Sequence, residues 1–175
     1  LVPASSGACA SGSAPAFESG GFPIHAAPVL AAASDEALSG AAAFIDKMGA
    51  RVIGFLSNPD MSQEQRKAKF RSLLREHYDM DTIARFALGK YWRLASEKQR
   101  KDYRRLFEDM VVAVYARRFE EYNGQKFEVR GQRAEGERDS LVTSYIVPGD
   151  GAEFRVDWRV RKKGGGYRIV DVIVE

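Results

Sequence analysis

The chain has 175 residues, 45% of them hydrophobic, and a single Cys, which excludes an internal disulfide framework and a Cys-based zinc cage. Its 27 Lys and Arg against 24 Asp and Glu leave a net charge of +3, a mild excess that permits an anionic partner without requiring one. No apolar run approaches the roughly 20 residues that span a bilayer, and 29% charged residues is ordinary globular composition.

Charge placement sets the domain boundary. Residues 1–34 hold one charged residue, Glu18, together with Pro3, Pro15, Pro23, Pro28 and the lone Cys9. Ala, Ser, Gly and Pro dominate there without any period, so the stretch buries too little apolar surface to offset the entropy of ordering. A flexible leader is expected. It is either a signal-peptide remnant, which the small residues of 26–33 resemble, or a vector-derived sequence. All 27 basic and 23 of the 24 acidic residues follow it, giving a domain over 35–175 with net charge +4.

The first predicted helix covers 35–56, with Leu38, Ile45, Met48, Val52 and Phe55 on one face. Asn58-Pro59 ends it, because a residue before Pro avoids the helical region. Ser62 and Gln65 form a capping box for a second helix carrying Phe70, Leu73, Leu74 and Tyr78. Asp81 is the expected cap of a short helix with Ile83, Phe86, Ala87 and Leu88, closed by Gly89. Ser96 and Gln99 form a second capping box, opening the longest helix, which runs to about residue 122. Asn123-Gly124 closes that helix.

The period then changes from 3.6 to 2. Phe127 and Val129 alternate with Lys126, Glu128 and Arg130, and residues 141–147 are a β-branched and aromatic run. Pro148, Gly149, Asp150 and Gly151 signal a turn. In the next strand Phe154, Val156, Trp158 and Val160 point one way, and Glu153, Arg155, Asp157, Arg159 and Arg161 the other. Gly164, Gly165 and Gly166 make another turn before a last strand over 167–174. Helices followed by strands, without βαβ alternation, predict an α+β fold: an N-terminal helical layer on a four-stranded twisted antiparallel sheet.

Catalytic signals are sparse. The two His are His25, in the leader, and His77. No nucleophile elbow, phosphate loop, metalloprotease helix or dinucleotide fingerprint occurs. His77, Asp79 and Asp81 could hold a metal only if the helix ran through them; capping and turn roles account for them better. The basic clusters at 66–71, 98–105 and 159–163 are mostly interleaved with Glu and Asp, as on a solvated face. That argues against nucleic acid and leaves a basic rim for lipid headgroups or an acidic protein partner.

The chain is rich in large apolar residues: ten Phe, seven Tyr and two Trp. Phe86, Tyr91, Leu106, Met110, Val114, Tyr115 and Phe119 lie on the helices; Phe127, Val129, Tyr145, Phe154, Val156 and Trp158 lie on the strands. Two readings compete. Either these residues form a filled core, or the sheet and helix layer enclose an apolar cavity that they line.

Tyr78-Asp79, the Ala-Arg-Phe-Ala-Leu-Gly-Lys-Tyr-Trp-Arg run over 84–93, Ser96 and Gln99-Arg100 together resemble the signature of the MlaC-like periplasmic phospholipid-binding proteins, also called the toluene-tolerance family. Residues 115–119, 122–125, 156–160 and 167–172 extend the resemblance over 37–175. It implies helices on an antiparallel sheet with acyl chains held between them, which favours the cavity. It implies a non-enzymatic periplasmic carrier of a Gram-negative cell that serves outer-membrane lipid asymmetry. Its partners would be phospholipid, an outer-membrane lipoprotein complex and an inner-membrane ABC transporter with an MCE-domain ring. No metal or cofactor and no stable membrane insertion are implied. Hopanoid-associated relatives share the pattern, so a polycyclic lipid is a second cargo class. The resemblance also implies a further helical segment beyond Glu175. The competing expectation is a solid-cored interaction module that binds an acidic partner through its basic surface.

Overall fold

The protein is described here as a computed structural model covering residues 35–175, with side chains from Leu38 onward. The expected leader over 1–34, with Cys9 and His25, lies outside the described residues. Helix α1 spans Asp35–Leu56 and buries Ala41, Ile45, Met48 and Phe55 at helical spacing. Helix α2 spans Gln63–His77, and both halves of the Ser62–Gln65 capping box are formed.

Helix α3 spans Met80–Leu88 and corrects one expectation: its cap is Asp79, not Asp81. The cause lies in the sheet. Tyr78 bridges to Ile169, and the Asp79 amide donates to the Ile169 carbonyl at 2.8 Å. The chain is therefore held outside the helix up to Asp79, whose carboxylate accepts from the Thr82 amide at 3.1 Å. Gly89 ends α3 at φ +57°, a conformation that favours glycine. The short helix α4, Tyr91–Leu94, was not expected. One turn carries no periodic signal of its own. Helix α5, Glu97–Glu120, starts at the Ser96–Gln99 capping box as anticipated.

Strands β1 (Lys126–Glu135), β2 (Asp139–Val147), β3 (Phe154–Lys163) and β4 (Gly166–Val174) form an antiparallel meander in the order β1-β2-β3-β4. Bulges interrupt the register at Val129/Gly131 and Arg159/Val160. α1 packs on β1, β2 and β3, α2 and α3 reach β4, and α5 packs on α2 and α3. The result is an α+β fold whose core joins Ile45, Leu73, Leu74 and Val112 from the helices to Val142, Val160 and Ile169 from the sheet.

The α1–sheet contact is close because two glycines stand where it is made. A Cβ at Gly40 would overlap the Tyr167 ring and hydroxyl, and one at Gly49 would overlap the Phe127 ring. Gly54, on the same helix, has open space. Gly49→Ala should therefore cost about 1–3 kcal/mol by overpacking. Gly54→Ala should stabilise by up to about 1 kcal/mol through helix propensity. Thermal melting of the two variants checks this, and melting points lowered alike would contradict the close-approach account.

Candidate functional site

The two faces of the sheet have opposite chemistry. Alternation and register put Phe127, Val129, Val142, Ser144, Phe154, Val156, Trp158 and Val160 on the inner face, toward the helices. The one indole there has its polar edge satisfied: Trp158 Nε1 donates to Ser144 Oγ at 2.8 Å, and Ser144 Oγ donates to the Val156 carbonyl at 3.3 Å. The outer face is a ladder of ion pairs. Asp139 accepts from Arg159 at 2.7 Å and from Arg161 at 2.6 Å, and Asp157 pairs with Arg155 at 2.8 Å. Burial pushes the Asp139 carboxyl up, but the hydrogen bonds and charges of Arg161 and Arg159 outweigh it and hold the group below its ordinary range.

The thirteen residues singled out for an apolar lining fall into five places. Phe127, Val129, Phe154, Val156 and Trp158 share the inner face of the sheet. Tyr115 and Phe119 join Phe70 in an aromatic cluster, at centroid distances of 5.6 and 5.0 Å. Phe55 closes on Phe119 at 6.0 Å. Leu106, Met110 and Val114 share one side of α5 and are half exposed, while Val112 and Ala116 on its other side are buried. Phe86 and Tyr91 stand out into solvent on α3 and α4. Tyr145 lies on the outer face, three residues from inner-facing Val142, with the Arg130 guanidinium 4.5 Å from its ring centroid. The structure thus does not gather all thirteen around one space.

It does form a cleft that periodicity did not suggest. A space of about 280 Å³ opens between α1 and α2, lined by Arg51, Gly54, Phe55, Met61, Lys69 and Leu73. Its floor is apolar and continuous with the core, since Phe55 and Leu73 belong to the core cluster and Met61 packs against it. Its rim carries two cations. Arg51 bonds Glu76 at 3.2 Å and His77 at 2.7 Å; Lys69 has no ion-pair partner among the described residues. The only hint in the sequence is helical spacing, with Lys69 and Leu73 at i, i+4 on α2.

The His77 constellation does not converge. His77 meets Arg51 and, edge-on, Phe44 at 5.4 Å; Asp79 pairs with Lys163 at 2.8 Å; Asp81 pairs with Arg104 at 3.0 Å. Five of the basic clusters' arginines are paired: Arg71 with Glu108 and Asp109, Arg104 with Asp81, Arg105 with Asp109, and Arg159 and Arg161 with Asp139.

Three comparisons bear on this geometry. A family model described as "MlaC protein" matches residues 46–175. Among solved structures, the chain is similar to the phospholipid-binding protein from Ralstonia solanacearum solved in complex with a phospholipid. The TM-score is 0.62 at 21% identity, covering 83% of this chain and 79% of that one, and this likeness shows the fold. A search of curated proteins found no match.

The His77 site carries a pH prediction. Arg51 can only donate, so His77 Nε2 accepts and the ring is neutral. Burial lowers its pKa below the usual 6.5, against the opposing pull of Glu76 and aided by Arg51. With a depressed folded pKa, this contribution to stability is full above pH 6.5 and is lost as pH falls through the folded value. The melting point should drop as pH falls below about 6.5, and His77→Gln should flatten part of that drop. An unchanged pH profile in the variant would contradict the assignment.

Proposed function

The chain belongs to the MlaC family, and from that premise we propose that it is a non-enzymatic phospholipid carrier of the periplasm. In this reading it shuttles lipid between an outer-membrane lipoprotein complex and an inner-membrane ABC transporter bearing an MCE-domain ring. The observation that carries the cargo assignment is the α1–α2 cleft. An apolar floor continuous with the core, below Arg51 and Lys69, suits a ligand with a hydrocarbon part and an anionic head. The phospholipid held by the Ralstonia solanacearum neighbour supports the same class of cargo.

The energetics fit a carrier. Each CH₂ withdrawn from water is worth about 0.8 kcal/mol, so two acyl chains of about 16 carbons sum to roughly 25 kcal/mol. Against a bilayer that sum nearly cancels, because the tails are already in an apolar medium. The protein must therefore keep the chains dry across an aqueous gap, while docking partners assist extraction and release. None of these steps needs a nucleophile. A space of about 280 Å³ is small even for a drug-sized ligand, which takes roughly 300–1,000 Å³. In this proposal α2 and α5 move away from α1 and the sheet as the chains enter, extending the cleft toward Phe119 and the inner sheet face around Val156 and Trp158.

Organic extraction of the purified protein followed by mass spectrometry tests the reading. Phospholipid should co-purify. Gly54→Trp, placed where a side chain has room, should plug the cleft and lower the bound lipid severalfold at an unchanged melting point. Lys69→Glu should lower it as well. Wild-type protein that is lipid-free and takes up no added phospholipid would refute the carrier.

A further inference from the structure

The segment from Arg85 to Leu94 has a chemistry that neither the core nor the cleft uses. Three of its large apolar side chains stand in solvent: Phe86 is 78% exposed, Tyr91 59% and Leu94 79%. Single exposed apolar residues are unremarkable, but three within ten residues at one corner of the fold are not. Arg85, Lys90 and Arg93 alternate with them, and none has an ion-pair partner among the described residues. The segment contains no acidic residue. Elsewhere on this surface many cations are neutralised, as Arg71, Arg130, Arg155, Arg159 and Arg161 are. Lys69 too lacks an ion-pair partner among the described residues; what sets this segment apart is three such cations interleaved with three exposed apolar side chains and no acidic residue.

The corner is also held in shape. Gly89, at φ +57°, turns the chain between α3 and α4, and its amide donates back to the Arg85 and Phe86 carbonyls. Trp92 is turned inward: Arg100 and Arg104 lie 5.5 Å from its ring centroid, and Arg100 Nε donates to its carbonyl at 2.9 Å. Anchoring Trp92 to α5 leaves its neighbours Tyr91 and Leu94, one turn apart, on the solvent side. The corner is thus preorganised and does not collapse to hide its apolar groups.

We infer that this α3–α4 corner is a docking surface for an anionic phospholipid membrane. Phe86, Tyr91 and Leu94 would enter the headgroup–acyl boundary, and Arg85, Lys90 and Arg93 would meet lipid phosphates. Shallow burial of an apolar face with flanking cations is how interfacial segments bind, and Tyr is a residue of the membrane–water interface. The corner's apolar groups are interleaved with cations and with no acidic residue, which complements an anionic lipid surface. The inference concerns how the protein meets a membrane, not what it carries, and so stands apart from the cleft.

The test is flotation of the full chain with vesicles of phosphatidylcholine plus phosphatidylglycerol, against vesicles of phosphatidylcholine alone, with cargo measured by extraction on the same preparations. Wild-type protein should bind the anionic vesicles roughly tenfold or more above the neutral ones, and added salt should weaken that binding. The variant Phe86→Ser/Leu94→Ser and the variant Arg85→Gln/Lys90→Gln/Arg93→Gln should each lose most of the binding while keeping the melting point and the cargo. All five positions are exposed, so both variants should fold. Wild-type protein that binds neither vesicle, or folded variants that bind as well as wild type, would overturn the inference and leave the corner to a protein partner. Wild-type protein that binds the anionic vesicles but neither carries nor takes up phospholipid would instead count against the carrier reading alone.

Discussion

The close approach of α1 to the inner face of the sheet governs the rest of the structure. Gly40 and Gly49 let the helix backbone rest on Tyr167 and Phe127. That contact places Ala41, Ile45 and Met48 among Val142, Val160 and Ile169, where each is almost wholly buried. α2 and α5 then stack over the remaining core through Phe70, Leu73, Leu74 and Val112. Because α1 occupies part of the sheet directly, the remaining helices must cover the rest, and the cleft lined by Arg51, Gly54, Phe55, Met61, Lys69 and Leu73 opens between α1 and α2. The proposed separation of α2 and α5 from α1 would leave the α1–sheet contact intact.

The second constraint is the separation of charge across the sheet. Strand β3 alternates Val156, Trp158 and Val160 with Arg155, Asp157, Arg159 and Arg161. On the outer side the arginines fold over Asp139 and Asp157, both nearly inaccessible to solvent. Such pairs are favourable only where the hydrogen bonds are completed, and Thr143 supplies one more to Asp157 at 2.7 Å. The inner side around Trp158 is largely apolar, and its indole N–H is satisfied by the Ser144 hydroxyl. An apolar ligand would therefore meet hydrocarbon on the sheet side and charge only at a rim.

Much of this was legible in the sequence where one local rule decided the outcome. Both capping boxes formed as spaced, α1 ended before Asn58-Pro59, and the Gly-rich turns separated four strands with Phe154, Val156, Trp158 and Val160 on one face. Failures came where tertiary contacts decided. Asp79 displaced Asp81 as a cap because Tyr78 was held by β4. Tyr145 looked like its apolar neighbours, yet strand parity put it with Arg130 and Arg155 on the other face. Phe86 and Tyr91 have the side chains of core residues but sit at a corner where no element lies over them. The cleft was invisible because Arg51 and Lys69 come from two helices, and no motif records their meeting. The resemblance of 37–175 to the MlaC-like family located the fold and family, but not which side chains face the interior.

The central claim is that acyl chains lie against the inner face of the sheet, and Trp158 reports on it directly. The chain has two Trp, so Trp92→Phe leaves Trp158 as the single tryptophan, excited selectively over the tyrosines, while keeping a ring beneath Arg100 and Arg104. That variant would be loaded with a phospholipid brominated along its acyl chains, and its emission compared with the same variant carrying unbrominated lipid. The account predicts strong quenching of Trp158 by the brominated lipid. Full emission from a variant shown by extraction to hold that lipid would contradict it.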